Sequence, residues 1–148
     1  MFQFVKEIAR TFLNLPTGGR IFRDWPSDTL EKFSLARQQR QFTLAAFYCE
    51  DCLSSELLVR QARFLEPDMR NQARMVFLSD RQPGARELAG KLGVTGWPAL
   101  LLLDREGVPI RRWGTLSNPS EIVIEIELLV RDALLKEAKA ATQAATAV

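Results

Sequence analysis

Cys49 and Cys52 are the only cysteines of the chain, three positions apart in the run Tyr48-Cys49-Glu50-Asp51-Cys52. Two thiols at this spacing can close a small local disulfide, supply part of a metal site, or exchange with a foreign disulfide. A staple between distant segments is excluded, because no other thiol exists for either to reach. A structural zinc site wants about four ligands, and with no His in the sequence the pair supplies only two, so no metal is assigned. The absence of His also removes Ser-His-Asp hydrolases and His-ligated zinc enzymes. Thiol chemistry remains, and it calls for no bound cofactor.

The neighbouring residues predict how the pair is held. Phe42 to Tyr48 is short, apolar and aromatic at its end, the pattern of a strand in the middle of a sheet. After Glu50, Leu53, Leu57, Leu58, Ala62 and Leu65 recur at helical spacing until Pro67, which is expected to stop the helix. The cysteines therefore straddle a strand-to-helix junction, with Cys52 in the first helical turn and the positive helix end directed at Cys49. Cys49 is expected near the exposed tip and Cys52 one turn deeper. On that basis Cys49 attacks a client disulfide and Cys52 resolves the mixed disulfide.

Glu50 and Asp51 act against the thiolate. At ~6 Å and an effective dielectric of about 40, each carboxylate costs it roughly 1.4 kcal/mol, comparable with the ~0.3–2 kcal/mol that a helix end returns. Cys49 is thus expected to be less acidic than a strongly oxidising thiol, with a stable disulfide and a low reduction potential. The plainer account of these acids is that any first helical turn favours them.

Further along, Met75 to Leu78 reads as a strand and Pro83 to Leu92 as a helix that Gly93 ends. A strand from Ala99 to Leu103 turns through Asp104-Arg105-Glu106-Gly107 into Val108 to Trp113, a hairpin whose second strand Pro109 marks as an edge. Asn118, Pro119 and Glu121 start a last helix with Ile122, Ile126, Leu129 and Ala133 on one face. Upstream, Ser27 or Asp28 caps a helix over Thr29 to Gln39. An amphipathic helix carrying Val5, Ile8, Phe12 and Leu15 precedes it, as packing against the domain or as a docking helix for a partner. The expected organisation is an N-terminal helix and linker over 1–28, a domain over 29–139, and an Ala-rich tail over 140–148 that frays or is disordered.

This order of elements resembles the thioredoxin fold over about Phe42 to Leu135. Leu92-Gly93-Val94-Thr95-Gly96-Trp97-Pro98-Ala99-Leu100-Leu101-Leu102-Leu103 is similar to the family's segment around its cis-proline, and Gly107 and Gly114 fall where the family has glycines. The resemblance implies an α/β fold: a central mixed sheet of about four strands flanked by helices, here with an extra N-terminal helix. It also implies a thiol-disulfide oxidoreductase using Cys49 and Cys52 on protein disulfide or dithiol clients, recycled by an unidentified redox partner. Trp97-Pro98 would be a cis peptide facing the pair, its neighbouring backbone pairing with an extended client. Tyr48 and Trp97 offer an apolar rim for that client, with plain core packing as the alternative. Two features of the family have no counterpart: the buried acid in the strand before the motif, and its lysine partner on the next strand. Glu50 and Asp51 replace the usual Gly-Pro. The alternative reading is a non-catalytic thioredoxin-like module for binding or assembly.

The remaining composition limits the classes open to the chain. With 148 residues, 47% hydrophobic and 26% charged, it suits one globular domain. Twenty basic against 18 acidic residues leave +2, too balanced to favour nucleic acid or an anionic membrane. The arginines Arg60, Arg63, Arg70, Arg74, Arg81 and Arg86 are expected on a solvated surface. The longest apolar run, Trp97 to Leu103, is far short of the roughly 20 residues that span a bilayer, so no integral membrane segment is expected. Lys6, Glu7 and Arg10 interrupt any secretory leader. The expected compartment is the cytoplasm, with the periplasm as the alternative if a leader was removed.

Overall fold

Strand β1 (Thr43–Tyr48) is buried along its whole length, which a strand achieves only when neighbours flank it and layers cover both its faces. The computed structural model describes residues 25–146 apart from Thr115 and Ser117, so the expected helix around Val5 to Leu15 lies outside the described residues. The other elements are α1 (Leu30–Gln38), α2 (Leu53–Met69), β2 (Arg74–Ser79), α3 (Ala85–Lys91), β3 (Ala99–Leu103), β4 (Pro109–Trp113) and α4 (Pro119–Thr146). The sheet order is β2-β1-β3-β4. β1 runs parallel to β2 and antiparallel to β3, and β4 is antiparallel to β3. The expected mixed four-stranded sheet is present, with Pro109 on its outer strand.

Alternation along β1 divides the core. Leu44, Ala46 and Tyr48 pack on the side of α2 and α4, with Leu58 and Ile126 among their neighbours. Ala45 and Phe47 face the opposite layer with Phe33 of α1 and Ala89 of α3. Side chains two apart on a strand share a face, so a single apolar run supplies both layers.

Helix boundaries depart from expectation in several places. The cap of α1 is Thr29, whose side chain accepts the Lys32 amide, and Asp28 is engaged elsewhere. Pro67 does not stop α2, which continues to Met69. Arg63 and Pro67 both lie on its exposed side, where water can take the carbonyl that the proline leaves unbonded. Helix α3 starts at Ala85, after Gly84 in the left-handed region at φ 83°. In the β3–β4 turn the Asp104 carboxylate accepts the Glu106 and Val108 amides, both at 2.9 Å.

The segment from Ala140, expected to fray or be disordered, instead extends α4 to Thr146. Alanine is the best helix former, and the Thr142 hydroxyl donates back to the Ala138 carbonyl at 2.9 Å. Local propensity builds these last turns, since the buried residues of α4 end at Val130. No helix among the described residues is long and apolar enough to cross a membrane.

Candidate functional site

Cys49 continues directly from β1, and its backbone amide donates to the Ser55 hydroxyl at 2.9 Å. Ser55 is fully buried in the first turn of α2, so the helix side grips the end of the strand. Next, the Glu50 amide donates to Asp80 Oδ1 at 3.2 Å. Asp51 then takes a left-handed conformation, φ 66°, which turns the chain outward. Cys52 follows as the N-cap of α2, in an extended conformation and with no side-chain capping bond.

This path reverses the expected exposure of the thiols. Cys49 is half-buried and Cys52 is exposed, both as free thiols. The expectation treated helix depth as the only axis. The strand end is in fact tucked between α2 and the segment after β2, whereas the cap residue stands clear at the helix tip. The order of attack inferred from Cys49 being the exposed thiol therefore loses its basis.

Electrostatics at the pair also differ in source from what the motif suggested. Burial pushes the Cys49 thiol up, the Asp80 carboxylate and the neighbouring Cys52 add to the rise, and Arg86 opposes it. Glu50 and Asp51 are both met by Arg81, at 2.8 and 3.0 Å. The carboxylate that acts on Cys49 thus comes from the end of β2, with the two acids of the motif held in an ion-pair cluster.

Asp80 anchors a chain of contacts across the site. Its amide donates to the Tyr48 carbonyl at 2.9 Å, and its Oδ2 pairs with Arg86 at 3.4 Å. The Arg86 guanidinium lies 5.5 Å from the centre of the Trp97 ring, a cation-π contact. Trp97 in turn meets Phe47 edge-on, with centroids 5.5 Å apart and planes at 70°. Phe47 is paired with Ala99, the last pair of the β1–β3 ladder, so Trp97 and Pro98 lead into β3 at the end of the sheet where β1 gives way to Cys49. The Trp97–Pro98 peptide is cis, and both residues are half-buried.

Tyr48 does not form a client rim. It is fully buried, its ring stacks on Trp25 at 5.2 Å and 10°, and its hydroxyl donates to the Pro26 carbonyl. Burial pushes the phenol above its ordinary value, with Glu50 adding to the rise, so Tyr48 holds its proton and acts as a donor. The residue shapes the site from behind.

Four residues of the site escaped the sequence reading: Ser55, Asp80, Arg81 and Arg86. A polar residue at the third position of a helix often reaches back toward the cap, which was the available signal for Ser55. The arginines looked like solvated surface because their acidic partners, Glu50 and Asp51 for Arg81 and Asp80 for Arg86, lie outside the helical spacing that sequence pattern reads. Although the strand before the motif has no carboxylate, α2 contains a buried one: Glu56 is 2% exposed and pairs with Arg60 at 3.1 Å. Among the described residues no group of three metal-ligating side chains converges.

No family profile and no curated protein matches the chain. Solved structures resemble it. The J-Trx1 fragment of ERdj5 has a TM-score of 0.55 at 18% identity over 67% of this chain, which spans 48% of that fragment's length. A thioredoxin from Fasciola hepatica gives 0.53 at 15% identity, over 67% of this chain and 92% of its own. A mutant thioredoxin from Halobacterium salinarum gives 0.56 at 21% identity, over 70% and 87%. Identities this low speak for the fold alone. With the sheet order, the parallel β1–β2 pair, the β3–β4 hairpin and the flanking helices, they establish that this chain has a thioredoxin-like fold.

Proposed function

We infer that the protein is a thiol-disulfide oxidoreductase that cycles Cys49 and Cys52 between dithiol and disulfide while exchanging with protein clients. The carrying observation is the meeting of two free thiols at a strand-to-helix junction, one of them exposed at the cap of α2. In the reducing direction a thiolate of the pair attacks a client disulfide, and the second thiol displaces the client. The pair leaves oxidised and the client carries two thiols. A separate dithiol donor then restores the pair, and no bound cofactor takes part. Trp97 and Pro98, on the segment that leads into β3, are the residues proposed to meet an extended client.

Direction follows from how well the thiolates are stabilised. A raised Cys49 thiol favours the disulfide form, hence a low potential and a reducing role toward clients. The test is an equilibrium titration in dithiothreitol and glutathione buffers, with thiols alkylated and counted by mass. A reversible two-electron transition is expected, nearer about −270 than −120 mV on the scale of known oxidoreductases. If no internal disulfide forms, the exchange reading fails and a non-catalytic binding or assembly module replaces it.

A further inference from the structure

We propose that the pole of the sheet opposite the cysteine pair binds a small multivalent phosphate, held by Arg40, Arg70, Arg74 and Arg105. Strand β1 enters the sheet there after Phe42 and leaves it at Tyr48, so about 20 Å of strand separates this end from Cys49. The pole is remote from the thiols, and its chemistry does not depend on theirs.

An open pocket of about 340 Å³ lies there among the start of β1, the α2–β2 connection and the β3–β4 turn, within the size range of small-ligand sites. All four arginines line it, with Gln41 and Phe42 beside them, and among the described residues no acidic side chain does. Arg105 is shared with Glu137 at 3.6 Å and lies 5.7 Å from the centre of the Phe42 ring. Among the described residues no carboxylate pairs with Arg40, Arg70 or Arg74. Like charges gathered without a counter-charge repel one another, and an anion between them removes that repulsion. Guanidinium groups match phosphate oxygens two bonds at a time. The side-chain oxygen of Gln41 is buried without a hydrogen-bond partner, which leaves an acceptor for a hydroxyl or a protonated phosphate oxygen.

Arg40 is held at a cost to the backbone. It follows α1 with φ 52°, a left-handed conformation that few residues take and glycine adopts freely. Its amide donates to the Arg37 carbonyl and the Gln41 amide to the Ala36 carbonyl, both at 3.0 Å, the helix ending in which glycine usually fills this place. A long cationic side chain kept where glycine suits the backbone better points to a use for that side chain. Capping does not account for it. The Ala36 carbonyl already accepts from Gln41, and the Met69 carbonyl, at the end of α2, accepts the Gln72 and Ala73 amides at 2.9 Å. With only +2 over the whole chain, a concentrated positive pocket suits a compact anion better than a long polyanion or a flat membrane surface.

Calorimetric titration of the reduced full chain with inorganic pyrophosphate tests the site, at physiological ionic strength so that contacts with scattered surface charges are screened. One-to-one binding is expected, with sulfate bound about tenfold or more weakly at equal ionic strength. Arg74→Gln and Arg40→Gly should each weaken pyrophosphate by about tenfold, the factor for a lost hydrogen bond to a charged group. Arg63→Gln removes the same charge from an exposed position on α2 outside the pocket and should leave Kd unchanged. Arg40→Gly should also raise the thermal midpoint, because glycine relieves the left-handed backbone; lost binding with gained stability is a combination that misfolding does not produce. No heat with pyrophosphate, equal affinity for sulfate, equal weakening by Arg63→Gln, or binding to phosphatidylglycerol vesicles without binding to pyrophosphate would each overturn the proposal.

Discussion

Asp28 closes the outer edge of β2 through two hydrogen bonds with Phe77. Its amide donates to the Phe77 carbonyl at 2.9 Å, and the Phe77 amide donates to its carboxylate at 2.8 Å. Because β2 is an edge strand, these bonds satisfy backbone groups that would otherwise invite another chain. The same segment carries Trp25 and Pro26, both of which hold Tyr48. Residues 25–28 thereby form a collar behind the cysteine pair. Asp28→Ala is expected to cost about 1.5–3 kcal/mol, the range for a bond to a charged group, and to lower the urea midpoint. Asp28→Asn, which keeps an acceptor, should lose less.

Tyr48→Phe should separate support from client contact. The ring stack on Trp25 survives the change, while the bond to the Pro26 carbonyl is lost, at about 0.5–1.5 kcal/mol. Thermal unfolding should register that loss. Client KM in a disulfide-exchange assay should remain at the wild-type value, because the buried ring is out of a client's reach; a rise in KM with unchanged stability would contradict the buried assignment.

Asp80 and Arg86 face Cys49 with opposite charges, alongside the Cys52 thiol. Asp80→Asn should bring the Cys49 thiol down toward its ordinary value, and Arg86→Met should move it up. The comparison is the pH profile of iodoacetamide alkylation in a Cys52→Ser background. Asp80→Asn should alkylate faster than its parent near neutral pH, and Arg86→Met more slowly. The reverse ranking would show that the carboxylate does not govern the thiol.

Glu56 ties stability to pH. Burial raises its carboxyl above the ordinary value, and Arg60 only partly opposes this. A group whose pKa is higher in the folded state binds more protons there, so its contribution is complete below the unfolded pKa and is lost as pH rises through the folded one. Relative to Glu56→Gln, the wild-type urea midpoint should fall as pH rises past the ordinary glutamate range. Arg60→Met, which removes the opposing charge, should steepen the fall.

The positions of the strands and helices were legible because each rests on local pattern. The apolar run Phe42 to Tyr48, the Pro and Gly punctuation around β3, and the Asn118-Pro119 helix start all act within a few residues of themselves. The thiol pair at a strand-to-helix junction followed from the same local grammar. So did the prediction that Pro67 and the Ala-rich end would terminate helices, and there local rules misled: an exposed proline in a last turn is tolerated, and alanines need no core to stay helical.

The site itself was set by residues far apart in the chain. Asp80 reaches Cys49 because β2 lies parallel to β1 and ends at the same edge of the sheet; Arg81 meets Glu50 and Asp51 across 30 residues or so of sequence. Tyr48 is buried because Trp25 and Pro26 fold over it. The exposure of Cys52 over Cys49 depends on the left-handed turn at Asp51 and on Ser55 holding the strand end inward. Charge, burial and access are sums over neighbours in space, and a linear pattern records only the neighbours in sequence.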